Sequence, residues 1–125
     1  MKILIVEDSV CVQALLLMII RDLFPSSEIV VVATLAETQD VLSKKDEYIV
    51  LLDLMLPDSC PENTLNSVAA SIRSGVQVIV MTAMEDEELK TLATSVGVCA
   101  YLRKPAFDEL EAAFGAALAK LGQLV

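Results

Sequence analysis

The sequence predicts a doubly wound α/β domain: a five-stranded parallel sheet with helices on both faces. Two observations carry this. Short apolar runs with no polar break, the pattern of strands buried on both faces, alternate five times with segments of helical spacing, and such alternation calls for a parallel sheet with right-handed crossovers. Each apolar run also ends abruptly in polar residues, so the chemistry-bearing side chains collect where the strands stop. In sheets of this class, ligands bind at the carboxyl ends of the strands.

Lys2 to Val6 is the first strand, halted by Glu7 and Asp8. Ser9 is placed to cap a helix reaching about Leu23, with Val12, Leu15, Leu16, Ile19, Ile20 and Leu23 at core-facing spacing and Phe24 and Pro25 as its stop. Glu28 to Ala33, rich in valine, is the second strand. Thr34 and Glu37 form a capping box for a helix to about Ser43. Tyr48 to Leu52 is the third strand, and it delivers one carboxylate, Asp53, to the end of an apolar run before Leu56, Pro57 and Asp58 close it. A loop from Pro57 to Asn63 leads to a helix ending near Arg73, with Gly75 as its C-terminal signal. Gln77 to Met81 is the fourth strand, ending at Thr82. The acids from Glu85 to Glu88 suit the first turn of a helix that stops at Gly97. Ala100 to Arg103 is the fifth strand, terminated by Lys104 and Pro105. The last helix runs from about Phe107 to Leu121, with Leu110, Phe114, Leu118 and Leu121 as its stripe.

Composition narrows the function classes. Residues 1–125 form one domain, and 55% hydrophobic residues is enough for a filled core. A net charge of −9 repels nucleic acid and anionic membranes and attracts divalent cations. The absence of histidine removes Ser/His/Asp catalysis and imidazole metal ligands from this chain. Cys11, Cys60 and Cys99 are odd in number and widely spaced, which disfavours disulfides and zinc and fits a reducing cytoplasm; they read as small buried or partly buried hydrophobes. The apolar run from Val10 to Ile20 is too short to span a bilayer and contains Gln13.

Glu7, Asp8, Asp53, Thr82 and Lys104 all fall at carboxyl ends of strands and therefore converge on one edge. Carboxylates crowded at roughly 4 Å repel one another by several kcal/mol at an effective dielectric near 20, and a hard divalent cation relieves this. With only oxygen ligands on offer, Mg²⁺ is favoured over zinc or copper. Lys104 and the Thr82 hydroxyl then supply a charge and a donor for phosphoryl oxygens, leaving Asp53 as the nucleophile and an aspartyl phosphate as the product.

The ordered set of Glu7-Asp8, Leu52-Asp53-Leu54-Met55-Leu56-Pro57, Thr82-Ala83 and Gly97-Val98-Cys99-Ala100-Tyr101-Leu102-Arg103-Lys104-Pro105 resembles the response-regulator receiver domain of two-component signalling, close to the chemotaxis receiver type. The resemblance spans essentially all of the chain. It implies a flavodoxin-like strand order 2-1-3-4-5, an order for which a chemotaxis receiver is itself a standard example. It also implies Asp53 as phosphoacceptor, and Glu7, Asp8 and Asp53 with the Met55 carbonyl as the Mg²⁺ site. Thr82, Ala83, Tyr101 and Lys104 would bind phosphate and switch, and a cis bond would precede Pro105. The implied donor is a sensor histidine kinase or a histidine phosphotransfer protein, and the implied reader is a downstream effector or output domain. The domain itself would be a monomer or weak dimer, in contact with neither nucleic acid nor membrane. The chain departs from the family in lacking a glycine in the loop after Asp53, and in the apolar stretch Val98 to Ala100.

The first helix carries a second apolar stripe, Cys11, Ala14, Leu17 and Met18, opposite its core-facing one. Receivers present this helix to the helical bundle that carries the donor histidine, so Ala14, Leu17 and Met18 are candidate docking residues. Two other functions compete for the same residues. A haloacid-type aspartyl phosphatase also places an aspartate after a buried strand, but needs a second acid two positions on, where this chain has Met55. A receiver-fold interaction module would take no phosphate at all, a reading opposed by the full set of site residues.

Overall fold

Strands apolar on both faces need a helical layer on each side, and that demand organises the molecule. The computed structural model describes residues 1–124, with side chains through Lys120. Strands β1 (Lys2–Val6), β2 (Glu28–Val32), β3 (Tyr48–Leu52), β4 (Gln77–Thr82) and β5 (Ala100–Arg103) alternate with helices α1 (Val10–Leu23), α2 (Leu35–Leu42), α3 (Pro61–Arg73), α4 (Glu87–Val96) and α5 (Leu110–Leu124). The sheet is parallel throughout, in the order β2-β1-β3-β4-β5 expected from the resemblance.

Strand side chains alternate between two cores. Ile3, Ile5, Ile49, Leu51, Ile79 and Met81 pack with Leu16 and Ile20 of α1 and with Leu110 and Phe114 of α5. Leu4, Val6, Val50, Leu52, Val78 and Val80 pack with Leu35 and Leu42 of α2, Leu65 and Val68 of α3, and Leu89 and Ala93 of α4. All five residues of β3 are buried, at roughly 1.5–3 kcal/mol for each fully buried large apolar side chain.

The starts of α1 and α2 and the end of α4 follow the caps read from the sequence, while Asp86, read only as part of an acidic first turn, is itself the N-cap of α4. Ser9 Oγ accepts from the Val12 N–H at 3.4 Å, and the Thr34–Glu37 box closes at 3.1 Å from Glu37 N–H to Thr34 Oγ1. Asp86 caps α4, accepting from Glu88 and Leu89, and Gly97 ends it at φ 98°.

Some expectations need correction. α3 begins at Pro61, inside the stretch expected to be loop: Cys60 is extended as its N-cap, and proline is preorganised for a first helical position. The last helix is preceded by a 3₁₀ turn, Phe107–Glu109, and its buried stripe includes Ala113 and Ala117 beside Leu110 and Phe114. Leu118 is half-buried, and Leu121 lies outside the described side chains. On α1, Cys11 and Ala14 are exposed and Met18 is 64% exposed, but Leu17 is half-buried against the core shared by α1 and α5. Leu17 stands one position from Leu16 and three from Ile20, so it flanks the buried stripe instead of opposing it. Cys11 and Cys60 are exposed, not buried: one lies on the outer face of α1, the other at a helix start. Cys99 is half-buried, its thiol donating to Gln77 Oε1 at 2.8 Å. Among the described residues no helix is long and apolar enough to cross a membrane.

Candidate phosphoacceptor and metal site

The strand register builds the site. β1 and β3 pair Ile3 with Ile49 and Ile5 with Leu51, so the next residues on the same face past the strand ends are Glu7 and Asp53. Backbone pairing continues that far: Glu7 N–H donates to the Val32 carbonyl and Asp53 N–H to the Val6 carbonyl, both at 3.0 Å. On β5, Leu102 faces the same core as Ile5 and Leu51, and Lys104 follows two residues on. Alternation therefore brings two carboxylates and an ammonium together from three strands.

Glu7 is 1% exposed and Asp53 6%, whereas Asp8 is exposed. One carboxylate oxygen from each of the three lies within 4.8 Å of the others. Lys104 Nζ donates to Asp53 Oδ2 at 3.1 Å and to Glu7 Oε1. The Met55 N–H donates to Asp53 Oδ1 at 3.0 Å, and the Asp8 N–H to Glu7 Oε2 at 3.0 Å. Among the described residues no hydrogen bond ends on the Met55 carbonyl, which is thus available as a ligand. Oxygen-only donors, partly buried and in excess of the one ammonium, fit a hard divalent cation.

Electrostatics follow from that excess. Burial, then the Asp53 carboxylate, pushes the Glu7 carboxyl up to about 7, against the opposing pull of Lys104. Burial by itself lowers the Lys104 ammonium, but Glu7 and Asp53 outweigh it and the net shift is upward. The lysine is therefore a fixed positive charge, while the Glu7 carboxyl is under a repulsion that a cation relieves.

Thr82 and Tyr101 belong to the other face, where Val80 pairs with Tyr101. Thr82 is fully buried, accepts from the Met84 N–H at 3.3 Å through its hydroxyl, and takes the Lys104 N–H on its carbonyl at 2.8 Å. Ala83 is exposed beside it. Tyr101 is half-buried; its hydroxyl is enclosed without a hydrogen-bond partner, and burial followed by Asp86 and Glu87 raises the phenol. It does not touch the carboxylates. The Lys104–Pro105 bond is cis. Ala14 and Met18 are exposed on α1.

Two residues escaped sequence reasoning. Gln13 Nε2 donates to the Glu7 carbonyl at 2.5 Å, tying α1 to the acidic turn; its signal was being the only polar side chain between Val12 and Ile20. Asp58, read as a turn residue, accepts from the start of α2, a partnership 22 and 23 residues distant that no local pattern announces.

Comparison with known proteins agrees with this fold. The family model for the response regulator receiver domain matches residues 3–114. A response regulator receiver domain protein from Clostridium thermocellum superposes with a TM-score of 0.86 at 21% identity, covering 99% of this chain and 98% of that one. The signal receiver domain of a putative Luxo repressor protein from Vibrio parahaemolyticus gives 0.84 at 25% identity, covering 98% and 92%. A CheY-like receiver domain protein from Methanospirillum hungatei JF-1 gives 0.79 at 24% identity, covering 98% and 97%. No curated protein matches. With the family model spanning most of its length and its acids, lysine and threonine at the strand ends, the chain belongs to the response-regulator receiver domains of two-component signalling.

Proposed function

We propose that this domain accepts a phosphoryl group on Asp53 from a phosphohistidine of a sensor kinase or histidine phosphotransfer protein, and that the adduct switches a surface read by an effector or output domain. The observation that carries this reading is the placement of Asp53 between the Lys104 ammonium at 3.1 Å and the acids Glu7 and Asp8. Asp53 attacks phosphorus in line; an oxygen–phosphorus bond forms, the phosphorus–nitrogen bond breaks, its electron pair stays on the imidazole nitrogen, and the ring, protonated from solvent, leaves as neutral imidazole. Lys104 neutralises charge on the equatorial oxygens, and the Met55 N–H holds Asp53 in orientation through its other oxygen. Glu7, Asp8, Asp53 and the Met55 carbonyl would hold Mg²⁺, which supplies further charge neutralisation when bound. Thr82, with Ala83 beside it, would take a phosphoryl oxygen, and the enclosed, unpartnered Tyr101 hydroxyl would be the group whose environment changes when Thr82 moves. The domain is a stoichiometric acceptor, monomeric or weakly dimeric, working in the cytoplasm.

A small acyl phosphate or phosphoramidate with Mg²⁺ should add one phosphoryl group to the intact mass. Asp53→Asn should add none, and neither should the parent protein in chelator. An adduct that persists in Asp53→Asn would place the chemistry elsewhere; no adduct in the parent protein would leave a pure interaction module.

Docking of the donor falls to the outer side of α1, through Ala14 and Met18 with Leu17 at its margin. Replacing Met18 and Ala14 by glutamate should slow transfer from a phosphohistidine protein by about tenfold, the scale of losing a single interface anchor. Small-molecule phosphorylation should stay unchanged. Equal loss of both rates would trace the effect to folding instead.

A further inference from the structure

The start of a helix leaves backbone N–H groups without intrahelical partners, and at α2 the local sequence satisfies only some of them. Thr34 Oγ1 accepts from Glu37 N–H at 3.1 Å, and Glu37 Oε1 accepts from Ala33 N–H at 3.2 Å and from the Thr34 hydroxyl at 3.0 Å. The N–H groups of Leu35 and Ala36 remain. Asp58, in the loop after β3, takes both, one on each carboxylate oxygen, at 2.8 and 3.0 Å. These two backbone donors hold its carboxyl below the usual range.

The same loop carries the Met55 carbonyl. Asp53 is anchored at the end of β3, Leu54 and Leu56 are buried, and Met55 turns outward between them with its N–H on Asp53. Beyond Leu56, Asp58 is the loop's tie to α2, while Ser59 Oγ, accepting from Asn63 Nδ2 at 3.0 Å and from the Thr64 hydroxyl at 2.9 Å, ties it to α3; Pro57 and Asp58 are exposed, and the Ser59 N–H reaches the Leu56 carbonyl only at 3.4 Å. We infer that Asp58 is a positioning residue: by clamping the β3–α3 loop to the first turn of α2, it sets where the Met55 carbonyl stands relative to Glu7, Asp8 and Asp53, and so governs the affinity for Mg²⁺. This rests on the metal site proposed above.

The test is calorimetric titration with Mg²⁺ of the full chain, unphosphorylated, comparing the parent with Asp58→Ala, Asp58→Asn and Thr34→Ala. Thr34→Ala weakens the same helix start without releasing the loop. Asp58→Ala should raise the Mg²⁺ dissociation constant about tenfold, the scale of losing a partner that orients a metal ligand. Asp58→Asn, whose single amide oxygen can keep one of the two bonds, should fall between the parent and Asp58→Ala and keeps the comparison available if the alanine variant fails to fold. Thr34→Ala should lower the melting temperature and leave the dissociation constant within about twofold, since it touches no group that orients a ligand. An unchanged dissociation constant in Asp58→Ala, or an equal rise in Thr34→Ala, would overturn the inference while leaving the metal site intact. If the parent binds no Mg²⁺, the metal site itself is wrong and this inference falls with it.

Discussion

Glu7 is the residue at which the fold and the site oppose each other. Its carboxyl is held at about 7, against 4.5 for the group free of the fold. Between those values the folded chain keeps a proton that the unfolded chain has released, so stability falls as pH rises from about 4.5 to about 7 and levels off above. The full difference is on the order of 3 kcal/mol at 1.36 kcal/mol per unit. Metal-free protein should therefore melt higher at pH 5 than at pH 8, and Glu7→Gln should flatten that part of the profile. A parent profile that rises over this interval would show Glu7 ionised in the fold. The identities of Glu7, Asp8, Asp53, Thr82 and Lys104 were legible because each interrupts or follows an apolar run. Their contacts were not: that Lys104 bridges Glu7 and Asp53, and that Tyr101 lies on the opposite face from them, depends on register and alternation across three strands.

At the scale of elements, two glycines separate backbone requirement from open space. Gly97 sits at φ 98° at the end of α4, and a methyl group there would meet Ile72 Cγ2 of α3 at 3.2 Å. Gly97→Ala should cost about 1–2 kcal/mol, read as a lower urea midpoint, because a left-handed conformation and a close helix approach are both violated. Gly115, on α5, has nothing within 4 Å of that position, so Gly115→Ala should stabilise by about 0.5–1 kcal/mol. Opposite signs from one substitution type would confirm the distinction. Helix starts were readable where the cap is local, as at Ser9 and at Thr34 with Glu37. They were missed where proline doubles as loop and helix residue, as at Pro61. Leu17 shows the other limit: helical periodicity assigns a direction, but how far the sheet wraps round α1 decides whether the flank is covered.

Across the whole molecule, the parallel sheet was legible because both faces of its strands are apolar, while the order of those strands came only through the family resemblance. That order has a consequence for how firmly each half of the site is held. β3 lies between β1 and β4 with every residue buried, whereas β5 is an edge strand of four residues bonded on one side only. Amides of β3 should exchange with deuterium only when the whole domain opens, and those from Tyr101 to Lys104 through local fraying at far lower cost. On that expectation Asp53 hangs from a slowly exchanging strand and Lys104 from a faster one. A phosphoryl group bridging the two should slow exchange at Leu102, Arg103 and Lys104 and leave the β3 amides unchanged, so that deuterium uptake would register the modification along the sheet's edge and not at its centre.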